Sequence, residues 1–204
     1  VGAAHRQLAA VWDDRDTWGD ASLGTLSRYI DQNSYPARIR GTLRDAVSYM
    51  WSDLLIDSSL WRPVHANETW RLDAVELLDE PPEVDLDSTD VHPLAKLAFV
   101  LGDLERWHAD RDEPEAALEA YLERARRLHD AVDGDDDEAA IRGSVADRLD
   151  AFDRSLPWYS WGAATLADLW RGADDPDALV RAHNIAADGV AAHPKSLGGQ
   201  RSRH

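Results

Sequence analysis

The order of apolar and polar residues along the chain predicts helices almost throughout. Between residues 37 and 55 the apolar side chains recur at intervals of three and four, so they share one face of a helix. The same spacing recurs in segments 5–13, 138–153 and 158–170, and after helix-start signals at Asp20, Asn67, Pro93, Pro114 and Pro176. Strand-like alternation is absent from the sequence. The pattern therefore predicts an all-α fold, a single compact helical domain of about eight or nine helices.

Two segments interrupt the helical pattern. Residues 81–90 are acidic and rich in proline, which predicts a long loop. The last residues, 198–204, are polar and begin with two glycines, which predicts a flexible tail. The domain is accordingly expected to cover residues 1–197.

The charge balance excludes several partners. The chain has 39 acidic and 22 basic residues and a formal net charge of −17. Such a surface repels phosphate groups, so we expect no nucleic-acid partner and no binding to anionic membranes. Lys96 and Lys195 are the chain's two lysines, and abundant Asp and Glu with little Lys resembles proteins of extreme halophiles. At molar salt the Debye length falls to about 3 Å, which screens the repulsion between these charges.

The absence of cysteine removes disulfides, thiol nucleophiles and thiolate metal sites. Apolar runs stay well short of the roughly 18 residues that a membrane span needs, and no signal peptide is recognisable. We therefore expect a cytoplasmic protein without a membrane span. Nine tryptophans in 204 residues predict core and helix-interface packing, with an aromatic groove for an apolar ligand or peptide as the alternative.

Catalytic and metal-binding patterns are weak. Glu105 and His108 are three residues apart and share a helix face, as in carboxylate-bridged metal bundles, and His92 lies at the start of the same helix. The second Glu-x-x-His element that a dimetal bundle requires is missing. Residues 19–24 lack the spacing of a nucleophile elbow. The sequence therefore predicts no catalytic residue, no metal and no cofactor.

The segment around Asp90 and His92 leaves two interpretations open. An Asp followed two residues later by a His, at the start of a helix, is typical of a cap. The alternative is a binding site, and it depends on a resemblance. Thr89-Asp90-Val91-His92-Pro93 runs into Leu97-Ala98-Phe99-Val100-Leu101, and Ser155-Leu156-Pro157-Trp158 follows later. In these segments the chain resembles the TorD/DmsD/NarJ family of molybdoenzyme maturation chaperones. It departs from the family pattern at Val91, at Ser155 in place of a second His, and at Ala95 or Lys96 in place of a Glu.

The resemblance implies an all-helical, non-catalytic chaperone in the cytoplasm. Its partner would be an apo-reductase catalytic subunit, or that subunit's twin-arginine leader peptide, held until the molybdenum cofactor is inserted. By the same resemblance Asp90, His92 and Trp158 would contact the client peptide. An acidic groove with tryptophans suits an Arg-Arg peptide that has an apolar stretch.

Two other functions remain open from the residues alone. Segment 113–129 is similar to the second helix of a tetratricopeptide repeat, which would suit a non-catalytic helical interaction scaffold. A metal-dependent helical enzyme using His92, Glu105 and His108 is the second alternative.

Overall fold

The computed structural model describes residues 2–29, 33–36, 38–132 and 134–203. Of the chain, 67% is helical and no strand is present in the described part, so the predicted all-α class is confirmed. Eleven α-helical segments are described there, slightly more than the eight or nine expected. Their bounds are α1 Gly2–Asp13, α2 Arg15–Trp18, α3 Leu43–Ile56, α4 Pro63–Ala66, α5 Ala74–Asp79, α6 Pro93–Ala109, α7 Pro114–His129, α8 Asp135–Asp150, α9 Tyr159–Arg171, α10 Ala178–Ala192 and α11 Leu197–Arg201. Single 3₁₀ turns occur at Leu23–Leu26, Ser58–Leu60 and Thr69–Arg71.

The chain divides into two compact units. Unit 1 comprises the described residues of Val1–Glu68 together with Pro81–Ala120, and unit 2 comprises those of Thr69–Glu80 and Tyr121–His204. Each unit is therefore built from two stretches of sequence.

The core of unit 1 lies where α3 and α6 pack against each other, with α1 against α3. Trp12 of α1 meets Trp51 of α3 edge-on, with 5.8 Å between the ring centres, and it also meets Phe99 of α6. The α6 residues Leu97, Val100, Leu101 and Leu104 are buried in the same core. Tryptophan rings therefore fill much of this core, in a chain that has one methionine and two phenylalanines.

Caps determine where the two central helices begin. Thr42 and Asp45 form a reciprocal capping box at the start of α3. His92 caps α6 through its ring, and Pro93 supplies the fixed φ angle of the first turn. Asp112, with φ of 59°, makes the left-handed step between α6 and α7.

Unit 2 is organised around α9. Helices α8, α10 and α11 each contact α9, and α5 lies against α8. Small residues permit these close approaches, because a Cβ on Gly189 of α10 would lie only 2.8 Å from the Cβ of Ala163 in α9. Tyr159 at the start of α9 donates to Asp188 of α10 at 2.6 Å, and burial together with that carboxylate raises the tyrosine pKa to about 12.

The helix predicted for residues 37–55 is shorter at its start than expected. The capping box at Thr42 places the first helical residue at Leu43, and residue 37 lies outside the described residues. The predicted single helix after Asn67 is divided into a 3₁₀ turn and α5, because the Asp73 side chain caps α5 at the Val75 and Glu76 amides. Met50 and Trp70 belong to the apolar pattern of these two predicted helices, but they are 59% and 73% exposed.

The segment predicted as a flexible tail contains a helix. Residues Leu197–Arg201 form α11, capped by the Ser196 hydroxyl on the Gly199 amide. Gly198 and Gly199 are buried, and Gly198 lies against the backbone of Ser160 and Trp161. The two glycines that suggested flexibility instead allow the chain to approach α9 closely.

Candidate functional site

His92 is a buried helix cap. Its Nδ1 accepts a hydrogen bond from the Leu94 amide at 3.1 Å, so Nε2 carries the proton and donates to the His65 carbonyl at 3.0 Å. Trp61 meets the ring edge-on, 5.0 Å between centres. Burial lowers the pKa of His92, so the ring is held neutral in this environment. The predicted role of His92 in client binding stays a prediction, and the observed contacts are those of a cap.

Asp90 is exposed, in contrast to its neighbour. Its carboxylate accepts a hydrogen bond from Arg62 Nη1 at 3.0 Å, and 90% of the Asp90 side chain is exposed. The same guanidinium nitrogen donates to the Thr89 carbonyl at 2.8 Å, which ties the loop to the start of α4. The structure thus brings Asp90 and His92 together at one end of α6, one on the surface and one beneath it.

Trp158 belongs to unit 2. It is 3% exposed and stacks on Trp161, with 5.3 Å between the ring centres and 26° between the ring planes. The residue precedes α9 as its N-cap position. Its predicted contact with a client stays a prediction of the family resemblance.

A cavity of about 290 Å³ lies in unit 1 at the start of α6. Its apolar wall is formed by Leu54, Leu55, Leu60, Trp61, Val91 and Pro93. Its nitrogen-bearing side chains are His5, Arg62, His65 and Lys96, and Thr89 adds a hydroxyl. No Asp or Glu is found among the described residues of the lining, in a chain with 39 of them.

Lys96 is the buried amine of this cavity. Its Nζ donates to the Leu86 carbonyl at 2.6 Å and lies 3.5 Å from His5 Nε2. Trp51 Nε1 donates to His5 Nδ1 at 3.1 Å, so the proton of the His5 ring sits on Nε2 and is donated to the same Leu86 carbonyl. One carbonyl oxygen therefore accepts from two side chains on two helices.

Burial lowers the pKa of Lys96, while Asp85 and Asp87 oppose that effect through their charge. Burial likewise lowers the pKa of His65, with the Arg62 charge adding to it. Lys96 is 5% exposed and forms no ion pair with any residue that the structure describes. Perturbed titratable groups that converge on an apolar cavity are typical of a binding site.

An ordered acidic loop borders this cavity. Glu83, Asp85, Asp87 and Asp90 are all exposed. The loop is anchored by buried Leu86 and by turns in which Asp85 accepts from the Asp87 and Ser88 amides. The loop therefore holds its carboxylates in defined positions, which a disordered linker would not do.

The structure does not assemble the metal-binding residues considered from sequence. His92 and His108 lie at opposite ends of α6, about 24 Å apart at the rise of an α-helix, so they cannot share an ion. Within the described part of the chain, no group of three or more His, Cys, Asp or Glu side chains is placed to hold a metal.

The sequence pattern did not indicate Lys96, His5 or Trp61 as site residues. His5 and Lys96 are 91 residues apart, so no local motif joins them. A signal was nonetheless present: Lys96 interrupts the apolar helix of a chain that uses lysine only twice. Lysine is rarely buried, so a lysine inside an apolar helix is usually on the solvated face. Here Lys96 is buried, which marks the position as unusual.

Comparison with known proteins adds no relative, because no family model, curated protein or solved structure matches this chain. No helix among the described residues is long and apolar enough to cross a membrane.

Proposed function

We propose that the protein is a cytoplasmic chaperone that binds the twin-arginine leader or N-terminal segment of an apo-molybdoenzyme reductase. The client is the one that the family resemblance implies, and its binding surface would lie on unit 1. The observation that carries it is the ordered acidic loop, with Asp90 at its end, beside partly exposed apolar side chains.

The loop suits the arginines of such a segment. Asp85, Asp87 and Asp90 lie within six residues and expose their carboxylates, which accept paired guanidinium hydrogen bonds. Hydrogen bonds within the loop and from Arg62 hold its backbone, so little ordering entropy opposes binding. His92 follows the loop and fixes the start of α6, since its ring joins that helix start to the His65 carbonyl of α4.

Apolar surface for the remainder of the segment lies next to the loop. Val64 of α4 is 43% exposed, and Trp61 is half-buried. Arg62 lies between them in sequence and binds the loop at Thr89 and Asp90. Basic and apolar residues of an extended peptide would therefore find partners within a short distance. The same acidity would keep the protein dispersed in a salt-rich cytoplasm.

Fluorescence anisotropy with a labelled twin-arginine leader peptide tests the proposal. The double variant Asp87→Asn, Asp90→Asn should weaken binding by about tenfold at low salt, because two charge-assisted contacts are lost. A leader with both arginines replaced by glutamine should bind the wild-type protein equally weakly.

The matched control is Asp135→Asn, Asp136→Asn at the start of α8, in unit 2, which changes the net charge by the same amount. It should leave the dissociation constant unchanged. If both double variants weakened peptide binding equally, the effect would depend on overall charge alone, and the proposed binding surface would be wrong. If no twin-arginine leader bound, and pull-downs recovered no reductase subunit, the proposed client would be wrong.

A further inference from the structure

The cavity at the start of α6 combines features that differ from those of the surrounding surface. Its walls are apolar, its polar side chains all carry nitrogen except Thr89, and none of its described lining residues is acidic. Lys96 reaches it from α6 with its charge unpaired by any described carboxylate, and Arg62 borders it. The lining is thus more basic than the chain as a whole, whose net charge is −17.

We infer that this cavity binds a small molecule or chain end that joins a carboxylate to a compact apolar body. The carboxylate would pair with the Lys96 ammonium, and the apolar body would lie against Trp61, Leu54 and Leu60. A volume of about 290 Å³ accommodates a phenyl ring or a branched aliphatic chain.

The geometry at Lys96 favours an anion over a neutral ligand. The ammonium has three N–H donors, and the described structure gives it one carbonyl acceptor, Leu86, at 2.6 Å. His5 Nε2, 3.5 Å away, is itself a donor to that carbonyl and offers Lys96 no lone pair. Asp85 and Asp87 act on the ammonium through their charge without forming an ion pair with it, and a carboxylate in the cavity would supply the direct partner that this buried ammonium lacks.

Arg62 adds further donors at the edge of the cavity. Arg62 donates from one nitrogen, Nη1, to Asp90 and Thr89, and its guanidinium has further N–H groups at the cavity edge. The exposed carboxylates of the acidic loop lie outside the lining, so Asp87→Asn, Asp90→Asn tests the peptide surface and Lys96→Met tests the cavity.

The chain's two lysines make a direct test possible. In protein labelled with ¹³C-lysine, the Cε signals of Lys96 and Lys195 are the two lysine signals, and Lys195→Met assigns them. Added 3-phenylpropionate should shift the Lys96 signal in a saturable manner and leave that of exposed Lys195 in place. The uncharged 3-phenylpropanamide should produce a much smaller shift, since it lacks the charge that pairs with the ammonium.

Calorimetry provides the affinity comparison. Lys96→Met should weaken binding of 3-phenylpropionate by about tenfold or more, because a charge-assisted hydrogen bond is lost. The variant should still fold, since the His5 ring continues to satisfy the Leu86 carbonyl and methionine fills a similar volume. Lys195→Met is the matched control and should bind like the wild type.

The source of the carboxylate is distinguished by a second pair of probes, N-acetyl-leucine and N-acetyl-leucinamide. Tighter binding of N-acetyl-leucine than of 3-phenylpropionate assigns the site to a peptide C-terminus, and the reverse order assigns it to a free acid; both support the inference. Equal shifts from acid and amide, an equal shift from chloride alone, or unchanged affinity in folded Lys96→Met would overturn it. None of these measurements involves a leader peptide, so they fail or succeed independently of the proposed function.

Discussion

His108 Nε2 lies 2.9 Å from Asp45 Oδ1, and each of the two residues is only 1% exposed. The other ring nitrogen, Nδ1, lies 2.8 Å from Glu113 Oε2. Ionised carboxylates only accept hydrogen bonds, so both contacts are satisfied when both ring nitrogens donate, and this arrangement favours the imidazolium form of His108. Burial lowers the pKa of His108, but the hydrogen bonds and charges of Asp45 and Glu113 outweigh it and raise that pKa overall.

The His108 contacts predict that the protein loses stability as the pH rises. A raised folded-state pKa gives a contribution that is complete below the unfolded pKa of about 6.5 and is lost through the higher folded pKa. Denaturant titrations from pH 6.5 upwards should show the free energy of unfolding falling by at most about 1.4 kcal/mol per pH unit.

The pH window isolates His108 from other histidines. His65, His92 and His129 have lowered pKa values, so their contributions change below about pH 6.5 and are constant above it. His108→Gln should therefore remove most of the fall above pH 6.5, and a variant with an unchanged slope would contradict the assignment.

Asp45 serves both His108 and the start of α3, which predicts graded losses of stability. Thr42→Ala removes the capping hydroxyl and should cost about 1 kcal/mol. Asp45→Ala removes the cap partner and also leaves the His108 charge with one carboxylate, so about 3 kcal/mol is expected. Denaturant midpoints of the two variants measure the difference, and equal costs would show that the buried ion pair contributes nothing.

Replacement of Asp90 and replacement of His92 should change the free energy of unfolding by different amounts. Asp90→Ala breaks an exposed ion pair with Arg62 and should change the free energy of unfolding by less than about 0.5 kcal/mol. His92→Ala removes the cap of α6 and a buried hydrogen bond, at a cost of about 2 kcal/mol.

Asparagine at position 92 provides the control for the cap, since its side-chain oxygen accepts from the same amide. His92→Asn should recover part of the stability lost in His92→Ala. If Asp90→Ala were as costly as His92→Ala, Asp90 would belong to the framework and not to a client-binding surface.

The surroundings of two glycines in unit 2 predict different effects of changing each of them to alanine. A Cβ at Gly198 would overlap the backbone of Ser160 and Trp161, so Gly198→Ala should cost about 2 kcal/mol or more. Gly172 has nothing within 4 Å of an added Cβ and an ordinary helical φ of −88°, so Gly172→Ala should be neutral or slightly stabilising. Thermal unfolding compares the two variants. If Gly198→Ala were neutral, the result would support a flexible tail and contradict the close packing of α11 against α9.

The sequence by itself determined the all-α class and its longest helices, because those depend on local order. In α6, Pro93 starts the helix and Leu94, Leu97, Leu101 and Leu104 recur on one face, and all four are buried. The acidic, proline-rich segment 81–90 likewise lies outside the helices, as its composition predicted. Asp90 and His92 could be singled out for the same reason, since both stand beside a recognisable helix start.

Only the tertiary structure decided what these residues meet. The cavity joins His5 to Lys96 across 91 positions, and the buried ion pair joins Asp45 to His108 across 63, so no spacing rule connects them. The glycines of the C-terminal segment signal freedom in isolation, but α9 lies close enough to require them. Periodicity reports which face of a helix is apolar; which side chain lies opposite it depends on how distant segments pack.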